Sequence, residues 1–408
     1  MAKRTIDEID VRGKRVFLRA DFNVPIDNGT ITDDRRIRLT VPTIRSIIDR
    51  GGSVIAASHM GRPEGKGFEA SESLEPVRAH LQRLLGQPVT LVGPTPTHPD
   101  AQALARGVRP GQVLLLENLR FEKGEKKGDA AFAQQLAGLG DIYCNDAFGA
   151  CHRTDASMHA LPLAMAGRPR VVGHLLQREL QYLQGVLDQP ARPFVAILGG
   201  AKVSDKLPAL RNLLERVDTI LVGGAMAYTF LRAKGVSVGT SRVELALVEA
   251  AGEILRAAGE KGVTIHLPTD HVCAQQLVAG VPSQVEGPGI PDGWMGLDIG
   301  PSTLARWSDL LQAAGTVMWN GPVGAFETKP FNAGTFALAR VLAGRAESGG
   351  IVVAGGGDTA AAVEEAGVAA RFSHVSTGGG ASLELMEGKS FETLAAIEDA
   401  SSPMPSGV

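Results

Sequence analysis

Cysteine is scarce in this chain, which has three cysteines in 408 residues. They are Cys144, Cys151 and Cys273, an odd number with no Cys-x-x-Cys pair. This usage excludes a disulfide framework of the kind found in small secreted domains, and it argues against a zinc site built on paired cysteines. It fits a reducing compartment, so we expect a cytoplasmic location.

An excess of charge of one sign is also lacking, since 41 Lys and Arg face 44 Asp and Glu for a net charge of -3. This balance argues against bulk electrostatic binding to nucleic acid. No apolar run approaches the roughly 20 residues of a membrane span, and the first residues lack the apolar stretch of a signal peptide. We therefore expect no nucleic-acid partner and no membrane partner, and any anion site must be a local cluster of basic residues.

Glycine is abundant, with 50 residues, and many glycines directly follow short apolar runs, which indicates tight strand-to-helix turns. Such runs alternate with segments of helical period along the chain. The pattern predicts strands at 15–19, 54–57, 113–116, 194–198, 219–222, 263–267, 317–319 and 351–354. It predicts helices at 41–50, 74–85, 207–217, 243–258 and 335–342.

This alternation predicts the α/β class, with mainly parallel sheets covered by helices on both faces. A chain of 408 residues is too long for one ordinary core and favours two such domains. Leucines at near-helical spacing in 174–187, bounded by Gly173 and Pro190, predict a helix that joins the two domains. The same spacing is compatible with one more core helix.

Arginines lie in four loops of the first predicted domain. Three of these loops follow predicted strands. Ligands of open α/β sheets bind beyond the carboxyl ends of the strands, so a ligand is expected at these three loops. A guanidinium fork matches the oxygens of phosphate and carboxylate groups, so together they favour a pocket for a polyanion. Any one of them alone is more simply a solvated surface residue. The four are Arg36, Arg62, Arg120 and Arg153.

Other polar residues accompany these arginines. Asp21 and Asn23 follow the first strand and can accept hydrogen bonds from a hydroxylated ligand, although on their own they are more simply explained by a turn. His59 stands beside Arg62 as a second possible cation, or is a core histidine whose hydrogen bonds are satisfied.

Glycine turns and lysines mark the strand ends of the second half. The run 199–206 places two glycines, Lys202 and Lys206 between a strand and a helix, which is a favourable arrangement for an anion. It has neither the spacing of a Walker A loop nor that of a dinucleotide-binding turn. Further glycine turns at 223–224, 321–324, 355–357 and 378–380 suggest a nucleotide lying across them. Asp358 is either a helix cap or a ligand for magnesium.

The chain resembles the phosphoglycerate kinases over nearly its whole length. The resemblance is carried by nine segments, at 19–25, 59–63, 117–121, 146–153, 199–206, 297–301, 319–327, 355–359 and 376–385. It implies two Rossmann-like domains of three layers (α/β/α) facing a central cleft, in a monomer. The implied organisation is a phosphoglycerate-binding domain at 1–172 with the C-terminal tail 391–408, an interdomain helix at 173–189 and a nucleotide-binding domain at 190–390.

The resemblance also assigns roles to single residues. It places 3-phosphoglycerate or 1,3-bisphosphoglycerate on Asp21, Asn23, Arg36, His59, Arg62, Arg120 and Arg153. It places ADP or ATP on Lys202, Lys206, Gly296, Gly300, Asn320, Glu327, Gly356, Gly357, Asp358 and Thr359. Within these sets it implies that Glu327 binds the ribose hydroxyls, that Asp358 binds the Mg²⁺ of MgADP or MgATP, and that Arg36 and Lys206 flank the transferring group as catalytic residues.

The implied reaction is reversible in-line phosphoryl transfer between 1,3-bisphosphoglycerate and MgADP, in glycolysis and gluconeogenesis, with hinge-type domain closure. Two places depart from the family pattern. Residues 150–155 read Ala-Cys-His-Arg-Thr-Asp where the family has Thr-Ala-His-Arg-Ala-His, so that Asp155 adds a negative charge near a phosphate site. Residues 390–394 replace the usual Leu-Pro-Gly at the start of the tail.

Two other classes of protein share this kind of fold. A nicotinamide-dependent dehydrogenase predicts a Gly-x-Gly-x-x-Gly turn with an acidic residue about 20 positions further on, and that turn is absent. A non-catalytic nucleotide-binding or scaffold protein predicts the loss of Arg36, Lys206 or Asp358, and all three are present.

Overall fold

The computed structural model of the chain describes residues 2–401, which form two compact units. The first comprises the chain up to Leu180 together with the segment that starts at Ser390, and the second comprises Gln181–Lys389. The predicted domain limits at residues 172, 190 and 390 stay a prediction, because the first division falls inside the helical segment that follows Gly173.

The strands are short, and most are buried on both faces, as four consecutive buried residues in Val113–Leu116 illustrate. The strands of the described chain are β1 Arg15–Ala20, β2 Ile26–Asp27, β3 Thr30–Ile31, β4 Ser53–Ala57, β5 Val89–Val92, β6 Val113–Leu116, β7 Ile142–Asp146, β8 Arg170–Val172, β9 Phe194–Leu198, β10 Thr219–Val222, β11 Thr264–His266, β12 His271–Ala274, β13 Gln284–Glu286, β14 Met295–Ile299, β15 Thr316–Asn320, β16 Ile351–Gly355 and β17 His374–Val375.

Each unit is built on one six-stranded sheet. The order is β5-β6-β4-β1-β7-β8 in the first unit and β11-β10-β9-β15-β16-β17 in the second, and every neighbouring pair in both sheets is parallel. The prediction of an α/β fold with mainly parallel sheets is therefore confirmed. The second unit also carries a small antiparallel sheet of order β13-β12-β14.

Helices connect the parallel strands, as crossover connections require. The α-helices of the described chain are α1 Arg35–Asp49, α2 Glu75–Leu85, α3 Pro99–Gly107, α4 Lys123–Lys126, α5 Ala130–Ala137, α6 Ala160–Ala164, α7 His174–Glu179, α8 Gly185–Asp188, α9 Leu207–Leu213, α10 Met226–Ala233, α11 Val248–Glu260, α12 Pro301–Ala313, α13 Ala333–Glu347, α14 Gly357–Glu365, α15 Gly379–Met386 and α16 Glu392–Ala395.

Helix α2 shows how local sequence sets these elements. Its apolar stripe buries Val77, Leu81 and Leu85, which recur every four residues on one face. The helix ends at Gly86, whose φ of 68° is the left-handed conformation that glycine adopts without steric cost, and the Gly86 N–H donates to the carbonyl of Gln82.

Four predicted helix boundaries are wrong by four residues or more, and one of them is the end of α13, at Glu347 rather than at residue 342. Helix α1 begins at Arg35 rather than at residue 41 and continues through Pro42, and its charged first turn hides the apolar period on which the prediction depended. Helix α9 ends at Leu213 rather than at residue 217, and α11 begins at Val248 after a short 3-10 turn at Leu245–Leu247. Helix ends depend on local turns that periodicity does not reveal.

The segment predicted to join the domains is helical from His174 to Asp188. It is not a regular α-helix, because a π-helical stretch at Leu180–Gln184 separates α7 from α8. A π-helix has one more residue per hydrogen-bonded ring than an α-helix, so the helix is locally widened where the two units divide.

The chain after Ser390 belongs to the first unit. Arg4 forms a buried ion pair with Glu398 at 2.5 Å, and the hydroxyl of Thr393 donates to the carbonyl of Cys151 at 2.5 Å. Lys3 and Asp399 pair at 2.8 Å. Residues 402–408 of the predicted tail lie outside the described residues. Within residues 2–401, no helix has both the length and the apolar character that crossing a membrane would need.

Candidate active site

The predicted substrate residues lie at one edge of the first sheet. Strands β6, β4, β1 and β7 are neighbours and run parallel, so the loops that follow their carboxyl ends leave the sheet on the same side. These loops carry Arg120, His59, Asp21 and Arg153, while Arg36 lies in the first turn of α1. The topology thus brings together side chains that are more than 130 positions apart in the sequence, from Asp21 to Arg153.

Asp21 is the anionic partner of Arg36. Its Oδ2 lies 3.1 Å from Arg36 Nη1, and the same nitrogen donates to the carbonyl of Asn23 at 2.8 Å. Burial raises the pKa of Asp21, but Arg36, then His59 and Arg19, outweigh this and hold it below its ordinary value. Asp21 is therefore a carboxylate that fixes the guanidinium of Arg36.

His59 is buried between two arginines. Its Nδ1 lies 3.3 Å from Arg19 Nη2 and its Nε2 lies 3.4 Å from Arg153 Nη1. Burial is the main cause that holds the pKa of His59 well below 6.5; Asp21 raises it, whereas Arg19, Arg120 and Arg153 lower it further. The lowered pKa favours a neutral imidazole, and the role of His59 at the site stays a prediction.

Asn23 and Arg120 converge on the backbone of Gly61. Asn23 Oδ1 accepts from the Gly61 N–H at 2.9 Å, and Arg120 Nη1 donates to the Gly61 carbonyl at 2.6 Å. Arg62 follows in the chain with an exposed side chain, and within residues 2–401 it forms no hydrogen bond or ion pair. The predicted substrate residues other than Arg62 are thus linked, either directly or through the backbone of Gly61, and His59 Nδ1 lies 3.9 Å from Asp21 Oδ1. Arg62 is placed near them only because it follows Gly61 in the chain.

A buried network supports these residues, and sequence reasoning missed it. Arg19 and Glu125 have no exposed surface. Arg19 Nε donates to Ser157 Oγ at 2.8 Å, and Ser157 donates in turn to Glu125 through Oγ at 2.6 Å and through its N–H at 2.9 Å. Arg19 was recognisable as the charged residue of an otherwise apolar strand, but Glu125 lies in a run of charged residues that looks like a solvated surface.

The second unit repeats the arrangement with glycine turns. Strands β10, β9, β15 and β16 are parallel neighbours, and glycines follow each of them. The loops are packed tightly, since a Cβ at Gly199 would lie 2.1 Å from the carbonyl oxygen of Pro322. Only glycine fits there, so this part of the glycine pattern reflects contact between loops as much as access for a ligand.

Lys206 lies at the centre of this edge. Its ammonium group donates to Oδ1 of Asn320, which is itself buried, and Asn320 Nδ2 has no hydrogen-bond partner among the described residues. Burial lowers the pKa of Lys206, while the carboxylates of Asp205, Asp358 and Glu387 counteract that effect. Lys206 and Asn320 are thereby joined, and the carboxylate of Asp358 is close enough to act on the charge of Lys206.

The hydroxyl of Thr359 accepts from the Gly321 N–H at 2.7 Å, and a Cβ at Gly356 would lie 3.2 Å from Asn320 Nδ2. Gly356, with φ of 98°, directly precedes α14, whose exposed first turn holds Gly357 and Asp358. Thr359 therefore links two turns.

The remaining predicted nucleotide residues are less closely connected. Lys202 and Glu327 are exposed, and Gly300 precedes α12. A Cβ at Gly296 would lie 2.0 Å from the Tyr228 hydroxyl, so this glycine is also required by packing. Within residues 2–401, no hydrogen bond or ion pair joins these four to Lys206, Asn320 or Asp358.

Glu244 holds the loop that carries the two lysines, and sequence reasoning missed it as well. Its carboxylate accepts hydrogen bonds from the Val203 N–H, from the Ser204 N–H at 3.1 Å and from the Ser204 hydroxyl at 2.7 Å. These three donors lie between Lys202 and Lys206 in the sequence. In the sequence, Glu244 is simply an acidic residue about 40 positions after Ser204, and nothing local links it to the lysine loop.

Carboxylates suited to a metal ion are sparse. Among the described residues, no group of three or more His, Cys, Asp or Glu side chains could hold one. The exposed carboxylate of Asp358, at the start of α14 and near Lys206, fits a cation that takes most of its ligands from bound phosphates and water, as Mg²⁺ does.

Comparisons with known proteins agree with this arrangement. The family model described as phosphoglycerate kinase matches residues 6–389. A phosphoglycerate kinase from Rhodopirellula baltica is 51% identical over 404 residues, covering 98% of this chain and 100% of the relative, and one from Moorella thermoacetica is 48% identical over 400 residues with the same coverage.

A solved structure agrees too. The phosphoglycerate kinase from Coxiella burnetii superposes with a TM-score of 0.87 at 38% identity, covering 97% of this chain and 98% of that one. The resemblance seen in the sequence is therefore confirmed, and the chain belongs to the phosphoglycerate kinase family and is a kinase.

Proposed function

We propose that this kinase catalyses reversible in-line transfer of a phosphoryl group from 1,3-bisphosphoglycerate to ADP, giving 3-phosphoglycerate and ATP. The observation that supports the proposal is two separate groups of basic residues and loops, one at the carboxyl edge of each six-stranded sheet. One is rich in arginine, and the other combines glycine turns with lysines. Their chemistry suits a phosphorylated carboxylic acid and a nucleoside phosphate, respectively.

In the first unit, the guanidinium groups of Arg36, Arg62, Arg120 and Arg153 bind the phosphate and carboxylate oxygens. Asp21 and Asn23 accept hydrogen bonds from the substrate hydroxyl and fix Arg36 and Gly61. His59 binds as a neutral group, which agrees with its buried position between two arginines. It does not need to act as a base, because a carboxylate is already ionised when it attacks and is a good leaving group in the other direction.

In the second unit, Lys202 and Lys206 bind the nucleotide phosphates, together with Asn320 and the turn Gly356–Thr359. Glu327 binds the ribose hydroxyls, and Gly296 and Gly300 line the nucleoside site. Asp358 holds Mg²⁺, which when bound neutralises charge on the nucleotide phosphates. Arg36 and Lys206 stabilise the negative charge that develops on the transferring group, which is the main task of a protein in phosphoryl transfer.

Transfer requires the two ligands to meet while water is excluded, because acyl phosphates hydrolyse. We therefore include hinge-type closure in the proposal, with the widened helix at Leu180–Gln184 as the segment that changes conformation. The chain acts as a monomer in the cytoplasm. Solution scattering tests closure: the radius of gyration falls when 3-phosphoglycerate and MgATP are both present, and an unchanged value counts against it.

A coupled assay with 3-phosphoglycerate and MgATP tests the reaction, and site variants test the assignment. Arg120→Gln is expected to raise the KM for 3-phosphoglycerate and to leave the KM for ATP unchanged, whereas Lys202→Gln is expected to do the reverse. If both variants changed the same KM, the division of ligands between the two units would be wrong. Trapping of labelled phosphate on the protein would rule out direct transfer.

A further inference from the structure

Asp155 is a buried carboxylate among the arginines of the first unit. It follows Arg153 by two positions, and its Oδ2 lies 3.8 Å from Arg120 Nη2, beyond hydrogen-bonding distance. The residue is 7% exposed. Among the described residues, neither Asp155 Oδ2 nor Arg120 Nε has a hydrogen-bond partner. Two buried groups of opposite charge thus lie close together, and the hydrogen bonds of neither are complete.

The charges around this pair come from several directions. Burial lowers the pKa of Arg120, Asp155 raises it, and Arg153 and Arg19 lower it. On the other side, Asp155 acts with burial to raise the pKa of Glu125, the buried partner of Ser157. Asp155 therefore attracts Arg120 and repels Glu125.

These contacts have opposite consequences for the empty and the occupied site. Without a ligand, the carboxylate offsets the repulsion between Arg120 and Arg153, which share one small region. With a ligand, the same carboxylate faces an incoming phosphate or carboxylate group of like charge. A negative charge close to an anion site weakens anion binding, by the same rule that makes like charges disfavour each other's ionised forms.

We propose that Asp155 is an affinity-setting residue of the phosphoglycerate site, an internal anion that weakens substrate binding at Arg120 and speeds product release. This inference rests on the proposed function of Arg120. It assigns Asp155 no contact with the reacting atoms and no part in the chemical step.

The test is Asp155→Asn, which keeps the size of the side chain and its acceptor oxygen while it removes the charge. The KM for 3-phosphoglycerate is expected to fall about tenfold, and the inhibition constant of inorganic sulfate to fall by a similar factor, because a like charge beside an anion site has been removed. The KM for ATP should stay unchanged and kcat should stay within about threefold. A merely structural role would not produce tighter binding of two different anions.

Asp49→Asn is the matched control for net charge. Asp49 is exposed at the last position of α1, about 20 Å along that helix from Arg36 at 1.5 Å per residue, and its loss removes the same charge from the same unit. This variant is expected to have wild-type constants. If it lowered the KM as much as Asp155→Asn, the effect would be one of overall charge, and the inference would fail.

Two further outcomes separate this inference from the proposed function. If Arg120→Gln raises the KM for 3-phosphoglycerate while Asp155→Asn leaves it unchanged or raises it, the site assignment stands and the role of Asp155 is overturned. If Arg120→Gln leaves the KM unchanged, the assigned site is wrong and the inference fails with it. Should Asp155→Asn not fold, Asp155→Ser repeats the test. Failure of both to fold would show that the carboxylate is structural and would overturn the inference.

Discussion

The carboxylate of Asp21 and the guanidinium of Arg36 lie 3.1 Å apart, and this pair joins the end of the first strand to the start of the first helix. Arg36 is thereby held in place before any substrate arrives. Such preorganisation matters for a residue that stabilises a transition state, because no free energy is then spent on orienting it during the reaction.

Arg36→Ala tests the catalytic assignment. We expect kcat to fall roughly a hundredfold or more, equivalent to about 3 kcal/mol of transition-state stabilisation, by analogy with the loss of one oxyanion donor. Nucleotide affinity should change little, since no nucleotide contact is assigned to the first unit. Steady-state kinetics and calorimetry of ADP binding measure the two effects. Arg38→Ala is the control, because Arg38 lies on the same helix, is largely exposed and pairs with Asp34; near-normal turnover of Arg36→Ala would refute the assignment.

Lys206→Ala is expected to have an effect on turnover as large as that of Arg36→Ala, because Lys206 is the half-buried cation assigned to the transferring group. Asn320→Ala removes the oxygen that accepts the Lys206 hydrogen bond and a side chain assigned to the nucleotide phosphates. It should lower kcat by a smaller factor, about tenfold, and raise the KM for ATP. The exposed Lys234→Ala serves as the control. Equal effects of Lys206→Ala and Lys234→Ala would contradict this role.

Asp358→Asn tests the magnesium assignment. An amide binds Mg²⁺ more weakly than a carboxylate, so the magnesium concentration that gives half-maximal activity should rise, by about tenfold or more. Binding of ADP without metal should change much less, and calorimetry with and without Mg²⁺ separates the two. The exposed Asp309→Asn, on the outside of α12, is the control. An unchanged magnesium requirement would argue against Asp358 as a ligand.

Glu244→Gln tests how the lysine loop is held. The N–H groups of Val203 and Ser204 both donate to Oε2 of Glu244, and the Ser204 hydroxyl donates to Oε1. The amide keeps one acceptor oxygen for the two N–H groups, but it loses the second acceptor and the charge that strengthens these hydrogen bonds. We expect the KM for ATP to rise about fivefold and the KM for 3-phosphoglycerate to stay constant. Glu244→Asp, which keeps the charge, should recover part of the affinity. An equal change in both constants would indicate a general loss of folding instead.

Asp298 predicts a pH dependence of stability in the second unit. Burial raises the pKa of this carboxyl to about 7, although the N–H groups of Gly334 and Ile299 donate to it and lower the value. Between the unfolded pKa of 3.8 and the folded pKa, the folded state binds more protons than the unfolded state. The contribution of Asp298 to the free energy of unfolding therefore falls as pH rises through this window, and this contribution becomes constant above about 7.

Asp298→Asn removes this titration. Urea unfolding at pH 5 and at pH 7.5 should show that the free energy of unfolding of the wild type, relative to the variant, falls by up to about 2 kcal/mol between these values. A difference that does not depend on pH would mean that Asp298 has the same pKa in the folded and unfolded states.

The sequence by itself determined the architecture and most of the loops that carry function. Apolar strands such as Val113–Leu116 and Phe194–Leu198 are buried because both faces of a parallel sheet are covered, and that local pattern was visible in the chain. The residues that follow those strands were visible for the same reason. By contrast, strand β7 was missed, since its buried Asn145 and Asp146 interrupt the apolar pattern.

Only the tertiary structure decided the pKa shifts and the charge partners of the ionisable side chains at the candidate site. The pKa of His59 is lowered because segments far apart in sequence bury the imidazole and surround it with arginines, and no local pattern records that desolvation. Glu125 and Glu244 look like surface charges in the sequence, and the burial of Asp155 against Arg120 is not visible there either. Their roles arise from contacts with Ser157, Arg120 and Ser204, which the fold brings within reach. Charge interactions depend on distance and burial in space, and these are properties of the folded chain.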